Sequence, residues 1–208
     1  MIDKLIEVAE GEIGCSEPTG DDKYIKYYNE TGGMSFGMNV AWCAIFVTWC
    51  KAKAGVDKSI IPHFASCDLG KEWFEKKSLY QKSRAYGGSY EPKRGDIIFF
   101  SSKYTQNDST HVGIVTSVSG NAVSTIEGNT GDKVARRSYS VGSKYIIGYG
   151  VPEYAACNGT YIVKEGDSLW RIAKTVLGKG SRYPEIMALN DMDDARIYPG
   201  EMLYMPNK

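Results

Sequence analysis

The chain is 208 residues long, and its 25 Lys+Arg balance 25 Asp+Glu to a formal net charge of zero at pH 7. Hydrophobic residues make up 42% and charged residues 24%, the make-up of an ordinary globular protein with room for one domain of about 150 residues and a small second one. This excludes a basic field for nucleic acid, an apolar run of about 20 residues for a membrane span, and an apolar stretch of about 7–15 residues behind a basic start for a secretory signal.

The first residues place Ile2, Leu5, Ile6, Ala9 and Ile13 on one face and Asp3, Lys4, Glu7 and Glu10 on the other, which predicts an amphipathic helix from Ile2 to Ile13. Further helices are predicted from Asp22 to Asn29, from Val40 to Ala54 and from Cys67 to Lys76. Asn39 caps the third and Gly55 ends it. The pattern then changes to period two. Gly95-Asp96-Ile97-Ile98-Phe99-Phe100, His111-Val112-Gly113-Ile114-Val115 and Val123-Ser124-Thr125-Ile126-Glu127 are β-branched and aromatic runs bounded by Gly, Ser and Asn, and predict strands. Helices followed by an antiparallel sheet make an α+β domain over residues 1–154. Residues 155–159 read as a linker, and 160–208 as a small β-α-α-β unit. In that unit a strand at Tyr161 leads to a helix capped by Asp167 or Ser168 that runs to about Leu177. A second helix ends at Asn190, and a strand covers Met202 to Met205. Leu169, Ile172, Ile186, Leu189 and Leu203 are its expected core.

Cysteines occur at 15, 43, 50, 67 and 157. An odd number without CxxC spacing supports neither a disulfide framework nor a structural zinc site. Cys43 and Cys50 on one helix would be roughly 10 Å apart, too far to pair. Cys43 is placed in the first turn of its helix, where the helix dipole favours a thiolate. The competing role is a small core residue, which suits Cys50 better. Of the two histidines, His63 lies in a turn, whereas His111 opens a strand that can aim an imidazole. If Ser119-Gly120-Asn121 is a three-residue hairpin loop, opposed residue numbers sum to 240. Gly113 then faces Glu127, and Glu127 and Asn129 share the face of His111; an even loop would turn both away. A cysteine at a helix start, a strand-borne histidine and a polar partner on the next strand are what nucleophilic acyl transfer requires. In that reading Cys43 attacks a carbonyl, His111 moves the proton, and Glu127 or Asn129 fixes the imidazole tautomer.

The runs Ala41-Trp42-Cys43-Ala44-Ile45-Phe46-Val47, Gly95 to Phe100, His111 to Val115 and Thr125-Ile126-Glu127-Gly128-Asn129-Thr130, in this order, resemble the CHAP domain, the cysteine, histidine-dependent amidohydrolase/peptidase. The resemblance covers roughly residues 1 to 154. It implies a papain-like fold, a nucleophile at Cys43, a base at His111 and the remaining site positions at Glu127 and Asn129. The related NlpC/P60 family usually carries a third histidine where this chain has Glu127 or Asn129. Some CHAP domains bind calcium through an Asp-rich loop before the nucleophile; here Gly32 to Asn39 holds no carboxylate, so no calcium, and no other metal or cofactor, is expected.

Residues Thr160 to Pro206 resemble a LysM domain through Tyr161-x-Val163-x-x-Gly166-Asp167-Ser168-Leu169-Trp170-x-Ile172-Ala173, Asn190 and Ile197-Tyr198-Pro199-Gly200. That resemblance implies a shallow groove for N-acetylglucosamine-containing glycan, lined by Gly166, Asp167, Ser168, Leu169, Asn190, Ile197 and Tyr198. The two resemblances together imply an enzyme that cuts an amide bond in bacterial peptidoglycan, with glycan and stem peptide as its partners. They are similar to the arrangement in phage endolysins, which are made in the cytoplasm and released to the wall. The rival readings are a papain-fold transferase or protease on another substrate, and a non-catalytic wall-binding or phage structural protein.

Overall fold

Helix α3, Cys43–Lys53, has no polar face over its first nine residues: Cys43 to Lys51 are all buried. A helix that is apolar all round is stable only when other elements surround it, and this one is the hub of the N-terminal unit. The computed structural model describes residues 1–16, 23–32, 35–37, 40–154, 157–190, 192 and 194–206. It divides into two compact units, Met1–Val56 with Ile61–Pro152, and Asp57–Ile60 with Glu153–Lys208.

Around α3 stand α1, Ile2–Gly11, α2, Lys23–Thr31, and α4, Cys67–Lys76. Helix α1 stops two residues before the expected Ile13. Asp22 and Asn39 lie outside the described residues. The expected start of α3 at Val40 is corrected, because the helix begins at Cys43 with Trp42 in the cap position and no side chain capping it. Burial holds this helix in place, and Trp42 offers the N–H groups of its first turn no side-chain acceptor. Helix α2 is fixed against it by Tyr24, whose ring stacks on Trp42 at 5.2 Å and meets Trp49 edge-on at 5.2 Å.

Six strands form one antiparallel sheet in the order β1-β6-β2-β3-β4-β5. They are β1 (Tyr80–Lys82), β2 (Ile97–Phe100), β3 (His111–Ser119), β4 (Ala122–Glu127), β5 (Ala135–Ser140) and β6 (Ile146–Gly150). The period-two pattern finds β2, β3 and β4 and omits the other three. Strand β1 has only three residues, β5 runs through exposed Arg136 and Arg137, and β6 is a glycine-broken run in which Gly150 leaves room for the Phe74 ring.

The β3–β4 turn differs from expectation in an instructive way. Ser119 pairs with Ala122, so the turn has two residues, Gly120 and Asn121, not three. Opposed numbers sum to 241 from there to Ser117↔Ser124. A bulge between Val115 and Ser117 then restores Val115↔Thr125 and Ile114↔Ile126, which sum to 240. One extra residue in a strand reverses the facing of the residues beyond it. Even turn and bulge together therefore set Gly113 opposite Glu127. His111, Thr125 and Glu127 share the face that carries the core cluster of Ile98, Phe100, Val115, Val123 and Tyr149.

In the C-terminal unit, β7 (Cys157–Ile162) pairs antiparallel with β8 (Met202–Pro206), with α5 (Leu169–Leu177) and α6 (Tyr183–Leu189) between them. Of the expected linker, Ala155 and Ala156 lie outside the described residues and 157–159 belong to β7. The core gathers Val163, Leu169, Ile172, Ala173, Leu177, Ile186, Leu203 and Met205. The chain is thus an α+β protein with a large antiparallel sheet and a small second sheet flanked by helices. No helix among the described residues is long and apolar enough to cross a membrane.

Candidate active site

Two helix starts and two strand ends meet in the N-terminal unit. Cys43 is the first residue of α3, and no acidic residue in that first turn offsets the positive helix end. Cys67 is the first residue of α4, whose N-cap Ser66 accepts from the Leu69 N–H. What brings α4 to α3 is Thr48: its Oγ1 donates to the Phe64 carbonyl at 2.7 Å and accepts from the Phe64 N–H at 3.0 Å. The Phe64 ring in turn lies on Gly70, where a Cβ would come within 2.5 Å of it. A second tie, Asp68 Oδ1 accepting from the Ser109 N–H at 2.7 Å, joins the start of α4 to the loop that delivers His111. With both ties made, the Cys43 and Cys67 Sγ atoms lie 3.5 Å apart.

His111 opens β3 beside Phe100 of β2, and its ring lies 5.7 Å from the Phe100 ring. Its Nε2 is 2.9 Å from Glu127 Oε2, so Nδ1 is the nitrogen left for the thiol. Glu127 is fully buried. Its other oxygen accepts from Thr125 Oγ1, and Tyr139 Oη donates to Oε2 at 3.2 Å. A buried carboxylate held by three donors has one orientation available. Tyr139 and Tyr145 close the back of the site, packed on Phe100 at 4.9 and 4.8 Å.

The electrostatics follow from these contacts. The Cys67 S–H, donating to Cys43, holds the Cys43 thiol well below its ordinary 9.0; burial opposes this, and His111 and the Val112 N–H add to it. Burial pulls His111 down, but Cys43 and Glu127 outweigh it and push the imidazole up to about 9. Cys67 moves the other way, held up by its bond to Cys43 and by burial. Cys50, two turns along the same helix, is pushed well above 9.0 by burial. These shifts favour an ion pair of Cys43 thiolate and His111 imidazolium, with Cys67 kept as the thiol.

The structure brings Cys43, His111 and Glu127 together. Strand β4 ends at Glu127, and Asn129 sits in the bend beyond it at φ 53°; the hydrogen-bond partner of His111 is Glu127. Sequence pattern did not single out Cys67, Thr125 or Tyr139; Cys67 and Tyr139 arrive by packing across long sequence separations, and Thr125 by sharing the face of Glu127 two residues along β4. Among the described residues no group of three or more His, Cys, Asp and Glu side chains is placed to hold a metal ion.

In the C-terminal unit, three of the seven expected groove residues spend their polar atoms on the fold. Asp167 Oδ2 accepts from the Lys164 N–H and Tyr161 Oη, and Ser168 caps α5 by accepting from the Arg171 N–H. Asn190 donates to the Ile186 and Tyr204 carbonyls at 2.7 and 2.9 Å and accepts from the Tyr204 N–H at 2.7 Å. Leu169 is buried and Ile197 packs on the core. Gly166 and Tyr198, the latter 67% exposed, are left at the surface.

A thiol at a helix start facing a histidine and a carboxylate on adjacent strands of an antiparallel sheet is a papain-like arrangement. The family model of the CHAP domain matches residues 35–129 and that of the LysM domain residues 161–206; the chain carries a CHAP domain followed by a LysM domain. No curated protein matches the chain in sequence. Among solved structures it is similar to "The crystal structure of Ly7917", at 18% identity and TM-score 0.43, over 79% of this chain and 66% of that one. It is similar over the same shares and at 18% identity, with TM-score 0.44, to "The crystal structure of Ly7917 with the hydrolyzing product of MDP". The chain thus spans just under two thirds of the length of those chains.

Proposed function

We propose that this chain is a peptidoglycan hydrolase that acts at the bacterial cell wall, with a cysteine amidase or endopeptidase unit at residues 1–154 and a glycan-binding unit that starts with β7 at Cys157. The observation that carries the reading is the His111–Glu127 contact of 2.9 Å beside a Cys43 thiol held below its ordinary range.

In this reading the Cys43 thiolate attacks the carbonyl carbon of an amide. N–H groups of the first turn of α3 take up the charge that develops on the oxygen. The His111 imidazolium gives its proton to the departing amine, leaving a thioester, and then takes a proton from the water that hydrolyses it. Glu127 holds the imidazole with Nδ1 toward the sulfur and stabilises its charged form. Cys67 acts through Cys43 as a positioning residue: its S–H keeps the sulfur ionised. The bond cut is N-acetylmuramoyl-L-alanine or one within the stem peptide or cross-bridge.

Two domains of these families in one chain support a substrate that carries both an amide and an aminosugar. Gly166 and Tyr198 are the groove residues whose surfaces are free for sugar. Tethering raises the local concentration of wall peptide at Cys43 without any new contact in the site. The test is rapid quenching of the protein with soluble muropeptides, followed by peptide mass spectrometry. The reading expects a thioester adduct on the peptide that contains Cys43. Turnover of muropeptides by a Cys43→Ser variant at the wild-type rate would contradict it.

A further inference from the structure

Hydrolysis uses one sulfur, yet the fold delivers two. Cys43 and Cys67 each begin a helix, lie 24 positions apart in sequence, and place their Sγ atoms 3.5 Å from one another. That is van der Waals contact, about 1.5 Å longer than a disulfide bond, so a small side-chain rotation closes it. The placement is held from two sides, by Thr48 gripping Phe64 ahead of α4 and by Asp68 gripping Ser109. Both cysteines are free thiols. They are only 3% and 8% exposed, so a small oxidant reaches them more readily than a bulky disulfide.

We infer that Cys67 is a resolving cysteine, which forms a reversible disulfide with Cys43 when peroxide oxidises the nucleophile and so switches hydrolysis off. The loss of activity rests on the proposed role of Cys43; the formation of the bond does not. In the first step the Cys43 thiolate attacks one oxygen of hydrogen peroxide. An S–O bond forms, the O–O bond breaks and hydroxide leaves, so that the sulfur loses two electrons and the peroxide gains them. In the second step the Cys67 sulfur attacks the sulfenic sulfur. The S–S bond forms, the S–O bond breaks, and the Cys67 proton leaves with the hydroxyl as water. A dithiol reductant reverses this by exchange.

The pair is held as one thiolate and one thiol, the combination this chemistry needs. Contact between the sulfurs lets the second step outrun a second peroxide, which would carry Cys43 to sulfinic acid and destroy it.

The test treats the full chain with hydrogen peroxide and follows peptide masses and wall lysis together. Trypsin puts Cys43 on residues 27–51, together with Cys50, and Cys67 on residues 59–71. The inference expects these peptides joined with the loss of two hydrogens, fragment ions placing the link at Cys43, and lysis lost and then restored by dithiothreitol. A Cys67→Ser variant should instead gain two or three oxygens on Cys43 and stay inactive after dithiothreitol. A free Cys67 beside sulfinic or sulfonic Cys43 in the wild type, a link at Cys50, or full recovery of Cys67→Ser would each overturn it. A Cys43–Cys67 link in a protein that lyses no wall when reduced would uphold the redox pair and overturn only the hydrolase reading.

Discussion

Gly113 stands opposite Glu127 with so little room that a Cβ on Gly113 would lie 2.6 Å from the Glu127 Cγ and 3.2 Å from the Ile126 carbonyl oxygen. The absence of a side chain at 113 is what lets the buried carboxylate reach across to His111. Gly113→Ala should therefore push Glu127 aside and cost about 1–3 kcal/mol of stability, as overpacking does. It should also lower kcat/KM about a hundredfold, the usual consequence of a displacement of about 1 Å in a catalytic array. Melting and muropeptide kinetics on the same preparation check both; unchanged kinetics would mean that the Glu127 position is not critical.

That glycine also shows what the sequence could and could not disclose. The facing of Gly113 and Glu127 follows from hairpin parity, and the expected pairing is the one observed. The path to it is not the expected one, because an even turn and a bulge at Thr116 cancel. Period-two patterning reports the net facing of a strand and is blind to compensating irregularities. Helix α4 was legible to its ends because Ser66 caps it and an apolar stripe defines it. The position of Cys67 was not, since it depends on Thr48, Phe64 and Gly70 meeting across long sequence separations. The role of Asn129 is not legible from alternation, because the strand stops at Glu127 and alternation stops with it.

The thiolate–imidazolium pair sets a pH dependence with a definite sign. His111, raised to about 9, contributes stability that is complete below its ordinary 6.5 and is lost as pH rises through 9. Cys43, lowered, contributes stability that is complete above 9.0 and is lost as pH falls through its depressed value. Where the two windows overlap, the raised His111 makes stability fall with pH and the lowered Cys43 makes it rise, so their slopes oppose each other. Reactivity shows what stability hides. Iodoacetamide should label Cys43 well below pH 9 and leave Cys50 unlabelled there; labelling of Cys43 that appears only near pH 9 would contradict the ion pair.

Replacing Glu127 by Gln keeps a hydrogen-bonding group beside His111 but removes the charge that helps raise it. The alkaline limb of the kcat/KM profile should then move below 9, and kcat should fall by about 10²-fold or more, as for other triad carboxylates. Asn129→Ala, by contrast, should leave the profile in place and cost at most about 1–2 kcal/mol, because a left-handed residue tolerates alanine less well than asparagine. Equal kinetic losses in the two variants would mean that Asn129 shares the orienting role.

In the C-terminal unit the same contrast separates scaffold from binding surface. Asn190→Ala removes three hydrogen bonds, one to the Ile186 carbonyl within α6 and two that join the end of α6 to Tyr204 of β8. It should lower stability by about 2–3 kcal/mol, because the Tyr204 backbone loses its partner. Tyr198→Ala removes a ring that is 67% exposed and should leave melting unchanged while weakening sedimentation with purified walls severalfold. Intact wall binding by Tyr198→Ala would move the glycan groove elsewhere on the unit.

The most direct measurement is mass spectrometry of the fragments released from purified bacterial walls by the wild type and by Cys43→Ala, side by side. The account predicts soluble fragments from the wild type alone, with new amino and carboxyl termini that name the amide bond, while both proteins sediment with the walls. Walls of several chemotypes that bind both proteins and release fragments with neither would contradict catalysis at Cys43 and leave a wall-binding protein in its place.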